Sequence, residues 1–151
     1  MKILFVCLGN ICRSPMAELI FRDMVKKAGL EDSIQCASAA VLSSEAGNSV
    51  YPPAQAQLRA LGIDPRGKVS IPLRREDYGR HDLLLGMEKS NIAAMKRICG
   101  GDPEGKIRRL LDDTPHPRDI ADPYYTLDFD TACRDIQEGC RSLLEKLKKQ
   151  I

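Results

Sequence analysis

The chain has 151 residues, 43% of them hydrophobic and 29% charged, with a formal net charge of +2. That is apolar material for one domain, residues 1–151, around one core, and the interspersed charge excludes a broad nucleic-acid footprint. No apolar run approaches a membrane span, and "MKILFVCLG" ends at Gly9, Asn10 and Arg13 without the cleavage site of a signal peptide, so the sequence predicts a soluble, cytoplasmic protein with no membrane partner.

In chain order, "KILFV" (2–6) predicts a first strand. After it, Ala17, Ile20, Phe21, Met24, Val25 and Ala28 recur at helical spacing, with Ser14 as the expected cap, Pro15 in the first turn and Gly29 as the stop. "SIQCAS" (33–38) predicts the second strand. Residues 53–61 predict a helix with Ala54, Leu58 and Leu61 on one face, ended by Gly62. "DLLLGM" (82–87) and "KIRRLL" (106–111) predict two further strands, separated by a helix over 88–99. "DDTPHPRDIADPYY" (112–125) is a long polar loop, and a final amphipathic helix runs from Phe129 to Leu147. Strands alternating with helices predict an α/β fold, a parallel sheet covered on both faces, with function in the loops at the carboxyl ends of its strands.

Six cysteines show no C-x-x-C spacing, and only His81 and His116 could join them, so no metal site is expected. Cys36, Cys99, Cys133 and Cys140 lie in apolar patterns and read as buried thiols. Cys7 and Cys12 fall instead in "VCLGNICRSPMAE", between the first strand and the first helix. A strand-to-helix turn offers unpaired amides and a dipole that favour an anion. Gly9 and Asn10 tolerate the positive φ angles that turn amides inward, and Arg13 supplies a fork for two phosphate oxygens. Residues Leu8, Gly9, Asn10, Ile11, Cys12, Arg13 and Ser14 therefore predict a cradle for inorganic phosphate or a similar oxyanion. The same positive potential is expected to pull Cys7 below the ordinary ~8.5 of a thiol, giving a nucleophile aimed at phosphorus.

On these residues the chain resembles the low-molecular-weight protein tyrosine phosphatase family. "VCLGNICRSPMAE" matches its phosphate loop and "DPYY" (122–125) its acid-bearing loop, with "SAA" (38–40), "HDLLL" (81–85) and "MEKSN" (87–91) in the family's order. The resemblance implies a flavodoxin-like, doubly wound four-stranded parallel sheet and hydrolysis of phosphotyrosine in proteins through a phosphocysteine, without metal or cofactor. It implies Cys7 as nucleophile, Arg13 as phosphate binder and Asp122 as general acid. A phenol with a pKa of about 10 calls for such a proton donor, although on the residues alone Asp112, Asp113 and Asp119 compete for the role. Tyr124 and Tyr125 beside Asp122 are candidates to face a substrate ring.

Two positions depart from the family pattern. Where members often carry a histidine that supports the phosphate-loop Ser and Asn, Lys68 stands, which puts that support of Ser14 and Asn10 in question. Where they often carry a cleft aromatic, the match is Ser44, which leaves one wall of the substrate cleft open. Two other activities compete. A thiol-coupled arsenate reductase needs relay cysteines, usually a pair after the third strand, and only Cys99 lies there. A phosphoarginine phosphatase would favour a polar residue where Ile11 stands. Cys12, five residues after Cys7, is expected to form a reversible disulfide with it on oxidation.

Overall fold

The computed structural model describes residues 1–151. Four strands, β1 (Lys2–Cys7), β2 (Gln35–Ala40), β3 (Leu83–Gly86) and β4 (Ile107–Arg109), form one sheet in the order β2-β1-β3-β4. All three pairings are parallel, with Cys7 level with Ala40 and Val6 level with Gly86. The helices are α1 (Arg13–Lys27), α2 (Pro52–Ala60), α3 (Asp77–Arg80), α4 (Lys89–Cys99), α5 (Pro123–Thr126) and α6 (Phe129–Lys148).

Alternation along β1 divides the interior into two layers. Ile3, Phe5 and Cys7 face a large core completed by α1, α2 and α6, where Phe5 meets Phe21 edge-on at 5.6 Å. Leu4 and Val6 face a smaller core with Leu84, Ile107 and the α4 residues Met95 and Cys99. The sheet is covered on both faces, as expected. Because β2 lies on one side of β1 and β3 on the other, the chain reverses direction of winding beside the carboxyl end of β1, the place where doubly wound sheets hold ligands. Cys7 is the last residue of that strand.

Several local expectations change. Ser14 does not cap α1: Cys12 occupies that position and no side chain caps the helix, because the Ser14 hydroxyl is engaged by Cys7 and Asn10. Gly9 does not take a positive φ; Asn10 does, at 56°. Leu61 is exposed rather than on the buried face of α2. Cys36 is only half-buried, while Cys99, Cys133 and Cys140 are buried. β2 begins at Gln35 and reaches Ala40, and β4 ends at Arg109. The loop after β4 is not uniformly polar: Ile120 is fully buried, and residues 123–126 form α5. α6 packs close to Leu110 because residue 139 is glycine; a Cβ there would lie 2.5 Å from Cγ of Leu110.

Candidate active site

Between Cys7 and α1 the backbone folds into a cup whose carbonyls are held from outside. Cys7 O accepts from Val41 N (2.9 Å), Leu8 O from Leu42 N (3.0 Å), Ile11 O from Tyr51 N (2.8 Å) and Gly9 O from Ser70 Oγ (2.8 Å). A trans peptide whose C=O points outward turns the next N–H inward, so the loop amides converge over the start of α1.

Asn10 is the residue that bends the cup. Its αL backbone is tolerated because a short polar side chain can bond locally, and here every useful bond is made. Nδ2 donates to Ser14 Oγ (2.6 Å) and Ser38 Oγ (2.9 Å), while Oδ1 accepts from Ile71 N (3.1 Å). Ser14 Oγ, already an acceptor, has its hydrogen free for Cys7 Sγ at 3.0 Å. Asn10 N at 3.3 Å and Ser14 N at 3.4 Å also donate to that sulfur. The Ser14 hydroxyl and two backbone amides thus converge on one Sγ.

The network continues inward. Ser38 Oγ donates to Glu18 Oε1 (2.6 Å), and Glu18, nearly fully buried, is paired with Lys68 Nζ (3.3 Å) and Arg22 Nη2 (2.6 Å). Lys68 also donates to Ser38 O (3.0 Å). The doubt raised by Lys68 is thereby answered: Ser38 directly supports Asn10, and Lys68 acts one partner further back, as the counter-ion of Glu18.

Arg13 is 1% exposed, and both of its terminal nitrogens are engaged. Nη1 donates to Ile120 O (2.8 Å), and Nη2 lies 3.1 Å from Glu88 Oε1 and 3.2 Å from Asp122 Oδ2. Asp122 Oδ1 accepts from Tyr124 N (3.0 Å), which starts the α5 turn. Asp112, Asp113 and Asp119 do not line this cleft; each pairs with a basic side chain elsewhere.

These parts enclose a cleft of ≈ 250 Å³ lined by Cys7, Leu8, Gly9, Ile11, Cys12, Arg13, Leu42, Ser44, Glu45, Asp122, Tyr124 and Tyr125. Of the residues expected here from sequence, Asn10 and Ser14 stand behind the wall as its supports. Tyr124 is backed by Tyr51, their ring centroids 5.5 Å apart, and Tyr51 by Phe129 at 6.1 Å. Ser44 supplies no ring to the opposite wall, which Leu42 and Glu45 complete. Burial pushes the Cys12 thiol up to about 12, with Cys7 and Asp122 adding to the shift and Arg13 opposing it. Cys12 is thus a neutral thiol beside Cys7.

Glu88, Ile120, Ser38, Glu18, Leu42, Glu45 and Tyr51 join the site with no catalytic motif in the sequence to mark them. Glu88 was the accessible one, since an acid just past the carboxyl end of β3 sits beside the end of β1 in any sheet with this strand order. No group of three or more His, Cys, Asp or Glu side chains is arranged to hold a metal ion, and no helix is long and apolar enough to cross a membrane.

A family model described as low molecular weight phosphotyrosine protein phosphatase matches residues 2–151. The chain is 39% identical to the low molecular weight protein-tyrosine-phosphatase YfkJ of Bacillus subtilis, over 99% of this chain and 97% of that one. The crystal structure of YfkJ superposes with a TM-score of 0.96, covering 99% of this chain and 96% of that one. Vibrio vulnificus Wzb in complex with benzylphosphonate is similar at a TM-score of 0.84 and 27% identity, covering 96% and 97% of the two chains. A Drosophila arginine phosphatase is similar at 0.90 and 28% identity, covering 98% of each.

Proposed function

The chain belongs to the low molecular weight phosphotyrosine protein phosphatase family, and from that premise we propose that it hydrolyses phosphotyrosine in proteins through a phosphocysteine on Cys7. The observation that carries this reading is the convergence of three donors on Cys7 Sγ at the floor of a cleft that also holds Arg13 and Asp122.

In the first step the Cys7 sulfur attacks phosphorus while the inward amides and Arg13 hold the equatorial oxygens. The S–P bond forms as the P–O bond to tyrosine breaks, and Asp122 delivers its proton to the departing oxygen. An incoming phosphate competes with Asp122 for Arg13 Nη2 and frees the carboxyl for that oxygen. In the second step the Asp122 carboxylate takes a proton from a water that attacks phosphocysteine, releasing inorganic phosphate and the thiolate. Ile11, Tyr124 and Tyr125 offer apolar walls to a phenyl ring. Benzylphosphonate, the ligand of the Vibrio relative, has the same pairing of ring and phosphoryl group.

The same reading treats residues 1–151 as one catalytic domain. It gives the enzyme a cytoplasmic setting, which six cysteines standing as thiols fit. Peroxide would oxidise Cys7 to a sulfenic acid, and the Cys12 thiol would condense with it, losing water, to a protective disulfide. Mass spectrometry after mild peroxide reads this as a reducible Cys7–Cys12 link.

The similarity to an arginine phosphatase makes phosphoarginine the second substrate to test, while apolar Ile11 favours the phenol. Arsenate reduction is disfavoured because Cys99, Cys133 and Cys140 lie in the cores. A turnover panel of phosphotyrosine, phosphoserine and phosphoarginine peptides, with arsenate plus a thioredoxin system, tests the assignment. Phosphotyrosine should be turned over fastest; faster phosphoarginine hydrolysis or arsenate reduction would overturn it.

A further inference from the structure

Resting on the reading of Asp122 as general acid, we propose that Arg118 and Asp119 are positioning residues, a two-sided clamp that fixes Asp122 over the Cys7 cradle. The loop after β4 leaves the far edge of the sheet and must deliver Asp122 to a site built at the centre. Its buried pivot is Ile120, whose N–H donates to Met87 O (2.9 Å) and whose carbonyl accepts from Arg13 Nη1 (2.8 Å). One apolar side chain and two backbone bonds set where the loop crosses the site. Asp122 lies two residues beyond, its carboxyl on Arg13 Nη2 (3.2 Å) and Tyr124 N (3.0 Å), and the tilt of the backbone that carries it calls for further anchors.

The tilt is set by the two residues before the pivot, which reach in different directions. Arg118 Nη2 donates to Asp135 Oδ1 (2.7 Å) and Glu138 Oε2 (2.8 Å), adjacent turns of α6, while Nη1 closes on His116 O (2.8 Å). Asp119 Oδ1 accepts from Lys89 N (2.9 Å), the first amide of α4, and from Arg109 Nη1 (2.9 Å) at the end of β4. Arg109 is itself fixed by Asp112 at 2.7 Å. The α4 contact is one residue from Glu88, the other carboxylate on Arg13. Asp119 thus ties the acid's loop to the same corner that orients the phosphate-binding guanidinium, and Arg118 braces it against α6.

Partly exposed ion pairs contribute little to global stability, so the clamp is read in geometry rather than in folding. Proton delivery is sensitive to displacements of about 1 Å, and it matters most for leaving groups that cannot depart unprotonated.

The test is single-turnover transfer to Cys7 from phosphate esters of phenols of graded acidity, using the full chain and the variants Arg118→Met, Asp119→Ala, Arg118→Lys and Asp122→Asn. Melting temperature and inhibition by inorganic phosphate are measured alongside. Arg118→Met and Asp119→Ala should lose about tenfold on phenyl phosphate and no more than about twofold on p-nitrophenyl phosphate, with phosphate inhibition no weaker than in the parent, since a loosened Asp122 competes less for Arg13. Arg118→Lys, which keeps the charge, should recover most of the loss. If Asp122→Asn steepens the dependence on leaving-group acidity and the clamp variants lose equally on all esters, or lose nothing, the clamp is overturned and the acid stands. If Asp122→Asn does not steepen it, the acid assignment falls and the clamp with it. Should Arg118→Met fold poorly, Asp119→Ala reads the same outcome from the opposite side.

Discussion

Arg13 Nη2 and Asp122 Oδ2 stand 3.2 Å apart, so the guanidinium assigned to phosphate and the carboxyl assigned to the leaving group are ion-paired with each other. A bound phosphoryl group must compete for that nitrogen. The same contact places the carboxyl at the rim where a leaving oxygen would sit.

Asp122→Asn should therefore have two effects of opposite sign. Transfer from tyrosine-like esters should slow by roughly 10²- to 10⁴-fold, and less for esters of acidic phenols. Inorganic phosphate and vanadate should inhibit the variant more strongly than the parent, because a competing negative charge has gone. Rapid-quench kinetics and inhibition constants check both; weaker inhibition together with uniform loss across esters would make Asp122 an anion-binding support instead.

Lys68 and Glu18, 9% and 6% exposed, form a buried pair at 3.3 Å behind Ser38. Lys68→Met should destabilise the fold by about 1–3 kcal/mol, below the full cost of breaking a buried pair, because Arg22 still reaches Glu18 at 2.6 Å. Lys68→His should cost less, since an imidazolium can still donate to Glu18. Urea denaturation of the two variants checks the order, and equal losses would contradict it.

Leu127 ends α5 with φ 64° and is 78% exposed. A left-handed conformation costs a non-glycine residue about 1–2 kcal/mol, and Asn tolerates it better. Leu127→Asn should raise the denaturation midpoint, by about 0.5–1 kcal/mol in stability, while β-branched Leu127→Val should lower it. A lower midpoint for Leu127→Asn would show that the leucine side chain contributes packing.

Alkaline pH should erode stability through the buried thiols, since burial raises Cys12, Cys36, Cys99, Cys133 and Cys140 alike. Burial holds Cys12 and Cys36 at about 12, against roughly 8.5 for an ordinary thiol. In that window the folded chain keeps protons that the unfolded chain has lost, so this contribution is complete below about pH 8.5 and disappears as pH rises toward about 12. Melting temperature should fall less steeply over that range in a Cys12→Ala, Cys36→Ala double variant than in the parent. Parallel slopes would contradict the assignment.

The sheet, its four strands and the four long helices were legible because apolar periodicity and Gly29 and Gly62 mark them directly. That Cys7 and Arg13 line one cleft with the loop between them was legible because they lie within eight consecutive residues. Ser14 misled for the same local reason: a serine before a helical pattern reads as a cap, and only the fold reveals that its hydroxyl serves Asn10 and Cys7. Glu88, Ser38 and Ile120 reach the site from 75, 28 and 107 residues away along the chain from the residues they bind, and no spacing rule spans such distances. The close approach at Gly139 is likewise set by Leu110 on another element, and in the sequence that glycine only weakens a helix.

In the proposed mechanism phosphorus passes through Cys7. Mixing the enzyme with a phosphotyrosine peptide and quenching during the first turnover, followed by mass spectrometry of the peptide containing residues 7–13, reads it directly. A transient phosphoryl group should appear on Cys7 as fast as tyrosine is released, and a Cys7→Ser protein should stay folded and bind vanadate but not turn over. Sustained hydrolysis by Cys7→Ser, or tyrosine release with no phosphoryl group on Cys7 at any time, would contradict it.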